Sequence, residues 1–312
     1  MDRTSYPRAS YISHVDVAIS GARGLVGTAL AAALRADGHR VLRLARGGIT
    51  DGDAIGWDPE AGRIDAPALE GVDAVVHLAG EGIGDHRWTD EQKRRIRASR
   101  VRGTAVLAAA VASREDKPKV FVSASAIGYY GDRGDEVLTE RSESGTDFLA
   151  ELCRAWEAET QPAADAGVRT VIARTGIVLA RHGGALSRML LPFKLGVGGR
   201  QGRGTQWMSW IALDDHVAAL RAAIDDGRLA GPVNYTAPNP VTNAEFAQTL
   251  AHVLHRPAAL PTPLFPLKLR YGAELVESLL LASQRVRPER LIAIDFQFEY
   301  PVLGSALAAI VG

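Results

Sequence analysis

The part of the sequence most informative about the fold is Val15-Asp16-Val17-Ala18-Ile19-Ser20-Gly21-Ala22-Arg23-Gly24-Leu25-Val26-Gly27. Its first six residues predict a short strand, and the Ala- and Leu-rich stretch from Leu25 to Ala36 predicts a helix packed on a sheet. Between strand and helix, the first glycine allows a tight turn, the second lets backbone approach a pyrophosphate, and the third lets the helix pack closely. A plain glycine turn without a ligand is the alternative. The residues expected to contact a dinucleotide here are Gly21, Arg23, Gly24, Leu25, Val26 and Gly27.

Apolar strands continue to alternate with helices along the first half of the chain. Strands are predicted at residues 40–44, 74–78, 119–123 and 170–174, and further helices at 89–112, with Thr89 as N-cap, and at 148–166. Because each strand is nearly all apolar, both faces of the sheet must be covered. The sequence therefore predicts an α/β fold, a doubly wound parallel (Rossmann) sheet, over residues 13–180.

Glycines and prolines become frequent from Gly183 onwards. We expect residues 181–312 to form mainly a substrate-binding region, including a small C-terminal domain from about residue 261. No Ser/Gly-rich or charged linker separates the two halves, so they are expected to share one core. Residues 1–12 are expected to form a flexible tail and lack the apolar core of a signal peptide.

The composition of the chain indicates which classes of binding partner to expect. The chain has 312 residues with 36 basic and 36 acidic side chains, so its net charge of +0 favours neither nucleic acid nor an anionic membrane as main partner. The single cysteine, Cys153, excludes an intrachain disulfide and suits a cytoplasmic protein. The eight histidines show no metal-ligand spacing, so no metal site is expected. A small-molecule substrate is expected, and a homo-oligomer is an open possibility.

The end of the second predicted strand bears on the choice of nicotinamide cofactor. NAD-binding folds usually place Asp or Glu there to accept a hydrogen bond from the ribose 2′-hydroxyl. This chain has Arg43-Leu44-Ala45-Arg46 instead, with Arg23 in the glycine turn. Guanidinium groups pair with a phosphate, whereas a carboxylate repels it. We therefore expect NADP(H), with its 2′-phosphate on Arg23 and Arg46; solvated surface arginines are the alternative.

Several segments together resemble the extended short-chain dehydrogenase/reductases. They are the glycine turn, His77-Leu78-Ala79-Gly80-Glu81, the segment from Ser123 to Gly131, and Arg174-Thr175-Gly176. More narrowly, Trp207-Met208-Ser209-Trp210-Ile211 and Gln284-Arg285-Val286 are similar to the atypical "epimerase family" branch, some members of which are described as sugar-nucleotide epimerases or cell-division inhibitors. The resemblance implies a Rossmann domain and NADP binding. Further cofactor contacts are expected at Leu78, Ala79, Gly80, Arg100, Ser123 and Arg174.

The catalytic pair of the wider family is missing. The resemblance implies a Tyr-x-x-x-Lys pair in which tyrosine exchanges a proton with the substrate and lysine lowers its pKa. The matching helix carries Phe148 or Leu149 in place of tyrosine, and Leu152 or Cys153 in place of lysine. Ser125 matches the family's substrate-orienting serine. The proton donors considered in place of the pair are Tyr129, Tyr130 and Glu81.

Two functions remain open at this point. The first is an NADP(H)-dependent oxidoreductase or epimerase-like enzyme acting on a small polar, sugar-like molecule. The second is a catalytically impaired NADP-binding scaffold or regulator, such as a regulator of cell division. Because one fold hosts many activities, the fold cannot choose between them.

Overall fold

The computed structural model describes residues 14–46, 52–258 and 260–312. The tail expected over residues 1–12 lies outside this part. The strands are β1 Asp16–Ser20, β2 Arg40–Ala45, β3 Ala54–Asp58, β4 Arg63–Ile64, β5 Ala74–His77, β6 Val120–Ala126, β7 Val137–Leu138, β8 Arg169–Thr175, β9 Ile177–Leu179, β10 Trp207–Met208, β11 Trp210–Ala212, β12 Gly231–Tyr235, β13 Val241–Thr242 and β14 Arg285–Val286. The helices are α1 Leu25–Ala36, α2 Asp90–Ala112, α3 Phe148–Ala158, α4 Gln161–Asp165, α5 Gly184–Lys194, α6 Leu213–Asp225, α7 Asn243–Val253, α8 Leu264–Tyr271, α9 Ala273–Val276, α10 Glu289–Ala293 and α11 Leu303–Val311.

Eight strands form the central sheet in the order β12-β8-β6-β5-β1-β2-β3-β4. All neighbours pair in parallel except β3 and β4, which are antiparallel. Leu30 and Leu34 of α1 pack with Leu220 of α6 on one face, and Leu107 and Val111 of α2 pack on the other. The predicted doubly wound parallel sheet is confirmed.

The strand β12 shows how the two halves of the chain share this sheet. It comes from beyond residue 180, yet it pairs with β8 at one edge of the central sheet. The sequence analysis did not predict it, because Gly231-Pro232-Val233-Asn234-Tyr235 lacks an apolar run. Pro232 is tolerated there because an edge strand has hydrogen-bonding groups that need no partner strand.

The predicted helix at 148–166 is two helices. The first, α3, ends at Ala158, and α4 begins at Gln161 with Pro162 in its first turn. Proline has no backbone N–H to donate and is favoured in the first turn of a helix, so a new helix begins there. By contrast, α2 begins as predicted, with the Thr89 side chain accepting a hydrogen bond from the backbone N–H of Gln92.

The second half of the chain has a smaller helical core of its own. Leu186 and Phe193 of α5, Phe246 of α7 and Leu307 of α11 pack around Trp210. The carboxylate of Asp215 ties the C-terminal region to this half by accepting hydrogen bonds from the backbone N–H groups of residues 299 and 300, at 2.7 and 3.0 Å. No helix in the described ranges is both long and apolar enough to cross a bilayer.

Candidate functional site: a dinucleotide cleft at the carboxyl edge of the sheet

The glycine turn joins β1 to the N-terminus of α1. Gly21 has a φ of +70°, and a Cβ there would lie 2.8 Å from the carbonyl carbon of Leu78. At Gly27, a Cβ would lie 2.3 Å from the Gly21 oxygen, so only glycine lets helix and turn meet. At Gly24, a Cβ would meet only the Gly21 oxygen, at 3.2 Å, and the residue is exposed. The turn thus has two glycines required by protein packing and one that opens onto the cleft.

The end of β5 forms the opposite wall of this cleft. The Ser20 hydroxyl, at the end of β1, accepts hydrogen bonds from the backbone N–H of Leu78 (3.1 Å) and of Ala79 (3.3 Å). These bonds hold Leu78 and Ala79 beside Gly21, where the order of strands reverses between β5, β1 and β2. Such a switch point is where open α/β sheets bind dinucleotides. The turn residues Leu25 and Val26 are half-buried at the start of α1.

The two arginines expected to bind a 2′-phosphate are exposed and lie near this turn. Arg23 is exposed within the turn itself. Arg46 directly follows β2, which runs parallel to β1, so it lies at the same edge of the sheet. Its guanidinium is 69% exposed and lies 3.4 Å from a carboxylate oxygen of Glu60. An exposed pair of this kind is worth little, so Arg46 can exchange Glu60 for a phosphate.

Arg100 reaches the cleft from α2. It donates a hydrogen bond to the backbone oxygen of Glu81 at 3.0 Å, and a Cβ added to Gly80 would lie 3.3 Å from its guanidinium carbon. The guanidinium also lies over the Trp156 ring, 5.2 Å from its centroid. Burial lowers the pKa of Arg100, partly offset by Cys153 and Glu81. A desolvated cation beside Gly80 is well placed to attract a nucleotide.

Ser125, the predicted substrate-orienting serine, and Arg174, a predicted cofactor contact, are buried on the neighbouring strands β6 and β8. Arg174 is 3% exposed and donates to both carboxylate oxygens of Glu157, at 2.9 and 2.8 Å. Burial alone would lower the pKa of Arg174, but the hydrogen bonds and charge of Glu157 raise it. The Ser125 hydroxyl donates to the same carboxylate at 2.6 Å. Ser123 is also buried, and its hydroxyl donates to the backbone oxygen of Ala124.

The two candidate tyrosines have different surroundings. The Tyr130 hydroxyl is buried and donates to Asn234 at 2.7 Å, and burial raises the pKa of Tyr130 to about 12. The hydroxyl of Tyr130 is thus engaged inside the protein, and its role in proton exchange stays a prediction. Tyr129 is half-buried, and its ring centroid lies 3.4 Å from the guanidinium carbon of Arg174.

An apolar cluster occupies the position of the missing catalytic pair. Leu149 and Leu152 of α3 pack against Trp88 and Leu275, with Phe148 at the margin. Burial raises the pKa of the Cys153 thiol to about 12, and this thiol donates to the backbone oxygen of Ala126 at 3.7 Å. No side chain at these positions of α3 can therefore exchange protons near neutral pH.

Glu157 and Asn234 were not identified from the sequence. Glu157 lies four residues after Cys153, on the same face of α3, so helical spacing could have suggested it. Asn234 lies on β12, which the sequence did not predict, and no signal pointed to it. Glu81, the third candidate proton donor, is half-buried, and Gln92 Nε2 lies 3.5 Å from its carboxylate.

The fold and the glycine turn together define a Rossmann-type protein with a dinucleotide cleft. The family model for the NAD dependent epimerase/dehydratase family matches residues 17–235, and this chain belongs to that family. A second model, for a domain of unknown function (DUF1731), matches residues 262–310. That match covers the region where a small C-terminal domain was expected.

Relatives match nearly the whole chain. An epimerase family protein of Mycobacterium leprae is 46% identical over 292 residues, covering 94% of each chain. The crystal structure of the human epimerase family protein SDR39U1 with NADPH has a TM-score of 0.87 at 36% identity, covering 95% of this chain and 99% of that one. The structure of a nucleoside-diphosphate sugar epimerase from Corynebacterium glutamicum is 42% identical with a TM-score of 0.80, and this chain spans 59% of its length. The predicted resemblance to the epimerase family is confirmed.

Proposed function

We propose that this chain binds NADP(H) in the cleft at Gly21–Gly27 and reduces a small polar, sugar-like carbonyl compound with it. The observation that carries the proposal is the glycine turn with Arg23 and Arg46 at the same edge of the sheet. The NADPH in the structure of the human relative supports the same choice of cofactor. Arginine near the 2′-phosphate favours a reductase over an epimerase that retains NAD.

The cofactor contacts follow from this placement. Backbone N–H groups at the start of α1 and the opening at Gly24 would take the pyrophosphate, since the helix N-terminus favours negative charge. Leu78, Ala79 and Gly80 would line the opposite wall, and Arg100 would approach the nucleotide beside Gly80. We propose that Ser123, Ser125 and Arg174 act from beneath the cleft and hold its floor rather than touch the nucleotide.

The bound nicotinamide would supply the hydride, so the protein must provide one proton to the carbonyl oxygen of the substrate. We propose Tyr129 for this step. Its hydroxyl has no hydrogen-bond partner among the described residues, and its ring is held against the guanidinium of Arg174, 3.4 Å from the ring centroid. Glu81 is the second candidate, since the hydrogen bond that its carboxylate accepts among the described residues is a long one, 3.5 Å from Gln92.

The test measures NADPH oxidation by the purified protein with a panel of small aldehydes, ketones and sugars. Turnover that Tyr129→Phe reduces at least about a hundredfold, and Glu81→Gln much less, would support both the reaction and the donor, because general acid catalysis is worth about that much. A larger loss of turnover in Glu81→Gln than in Tyr129→Phe would assign the role of proton donor to Glu81.

The apolar cluster at Leu149 and Leu152 favours a second candidate function, an NADP-binding scaffold without catalysis. Tight NADPH binding with no turnover across the panel would select it. A cytoplasmic location and a homo-oligomer stay predictions of the sequence.

A further inference from the structure

Large exposed apolar side chains are concentrated on two segments of the second half. Of the nine in the described part of the chain, six lie within residues 191–197 and 260–269. Isolated exposed apolar residues are normal, whereas clustered ones mark binding surfaces. This concentration therefore indicates a binding surface. They are Leu191 (64% exposed), Leu195 (68%), Val197 (61%), Leu260 (71%), Phe265 (77%) and Leu269 (69%).

The two segments run side by side. Arg256 Nε donates to the backbone oxygen of Lys194 at 2.9 Å, and the backbone N–H of Thr262 donates to the oxygen of Arg200 at 2.8 Å. The α8 helix, which carries Phe265 and Leu269, follows directly and has no fully buried residue. The six apolar side chains therefore belong to one region, although they are far apart in sequence.

The charge of the two segments themselves is basic. Residues 181–213 and 246–273 contain no Asp or Glu. Two of their basic residues, Arg188 and Lys268, pair with Asp85 and Glu277 from elsewhere in the chain. Among the described residues, four others in or beside the two segments form no ion pair with a carboxylate; they are Lys194, Arg200, Arg256 and Arg270. Arg203 lies elsewhere, in a pocket with Asp132 and Asp135. We call these four basic residues together with the six apolar residues the apolar–basic face.

We infer that the apolar–basic face binds the surface of an anionic lipid bilayer. Apolar side chains that enter the headgroup boundary, flanked by Lys and Arg that pair with anionic lipids, are the features of interfacial binding. Pairing of two copies through the same face would bring like charges together, which is unfavourable. The net charge of +0 gives no sign of this face, because the carboxylates that balance its basic side chains lie in other segments. This binding does not depend on the proposed reaction.

The experiment is co-sedimentation of the full chain with vesicles. We expect binding to phosphatidylcholine vesicles that contain phosphatidylglycerol, little binding to phosphatidylcholine alone, and a loss of binding as salt is raised, because exposed charges are screened. The double variant Phe265→Ser/Leu269→Ser should bind at least roughly tenfold more weakly, because burying one such side chain is worth about that factor.

The matched control is Ile292→Ser/Val302→Ser, which removes two exposed apolar side chains from outside the face (39% and 56% exposed) and should bind as the unchanged chain does. Absence of binding to anionic vesicles at low salt would overturn the inference, as would equal weakening by both double variants. So would light scattering that shows a dimer which Phe265→Ser/Leu269→Ser disrupts, because the face would then join two copies. Melting temperatures of all variants should match, since the altered side chains are exposed.

Discussion

The Ser20 hydroxyl lies 2.6 Å from Nδ1 of His77, and both side chains are completely buried. Because this hydroxyl already accepts the N–H groups of Leu78 and Ala79, its own hydrogen must go to His77 Nδ1. The imidazole is therefore neutral, with its proton on Nε2. That atom has no hydrogen-bond partner among the described residues. The His77 and Trp57 rings pack edge-to-face, with 5.7 Å between their centroids. The pair fixes the ends of β1 and β5, which carry the two walls of the cleft.

This arrangement makes stability depend on pH. Burial, with a smaller effect of Arg100, lowers the pKa of His77 from 6.5 to about 3, and burial lowers the pKa of His216 to about 4. Protonation is favoured in the unfolded chain, so the stabilising effect is complete above a pH of about 6.5 and is lost as the pH falls. We expect each histidine to cost about 2 kcal/mol of unfolding free energy between about pH 7 and pH 5.

Urea unfolding at both pH values measures this loss. His77→Asn keeps an acceptor for Ser20 but binds no proton, so the loss between the two pH values should fall by about half. The same change at His216 should have a similar effect. An unchanged loss in His77→Asn would show that the imidazole is already protonated in the fold.

Substitution of two glycines of the turn, Gly27 and Gly24, should have different effects. Gly27→Ala forces a Cβ against the Gly21 oxygen, so it should destabilise the fold and weaken NADPH binding together. Gly24→Val meets only one atom of the protein at the Cβ position, so it should leave the melting temperature nearly unchanged but abolish NADPH binding. Gly227→Ala is the control, since a Cβ there meets nothing within 4 Å. Binding of NADPH to Gly24→Val at normal strength would mean that the turn has only a structural role.

Arg46 should discriminate between the two nicotinamide cofactors. Arg46→Ala is expected to weaken NADPH binding about tenfold or more and NADH binding far less, because a hydrogen bond to a charged group is worth about 1.5–3 kcal/mol. Glu60→Gln should tighten NADPH binding slightly, since it removes the carboxylate that competes for Arg46. Arg141→Ala, another exposed arginine paired with a glutamate, is the control. Calorimetry with each cofactor makes the comparison, and equal losses for both would contradict the assignment.

The pair formed by Arg174 and Glu157 should matter mainly for stability. Arg174→Leu leaves the carboxylate of Glu157 buried without its cation and should cost about 3–5 kcal/mol of unfolding free energy. In the double variant Arg174→Leu/Glu157→Leu the uncompensated charge is gone, so part of this stability should return. Urea unfolding of the two single variants and the double variant measures the coupling. If NADPH binding fell in Arg174→Leu with no loss of stability, Arg174 would instead contact the cofactor directly.

The order of residues alone predicts the glycine turn, the first strands and helices, and the class of fold. These features are local: a strand, three glycines and an Ala- and Leu-rich helix lie within 21 residues of each other, from Asp16 to Ala36. The start of α2 at Thr89 is local too, because a cap involves residues three apart. The absence of the Tyr-x-x-x-Lys pair was likewise evident from α3 alone.

Which polar groups meet depends on the tertiary structure. The pairing of β8 and α3 brings Arg174 onto Glu157, 17 residues away in sequence. Strand β12 brings Asn234 to the Tyr130 hydroxyl, 104 residues away. The apolar–basic face likewise exists only because its two segments, which end at Arg200 and Arg270, lie side by side. Local patterns fix elements, but burial and charge partners depend on contacts between segments that the order of residues does not reveal.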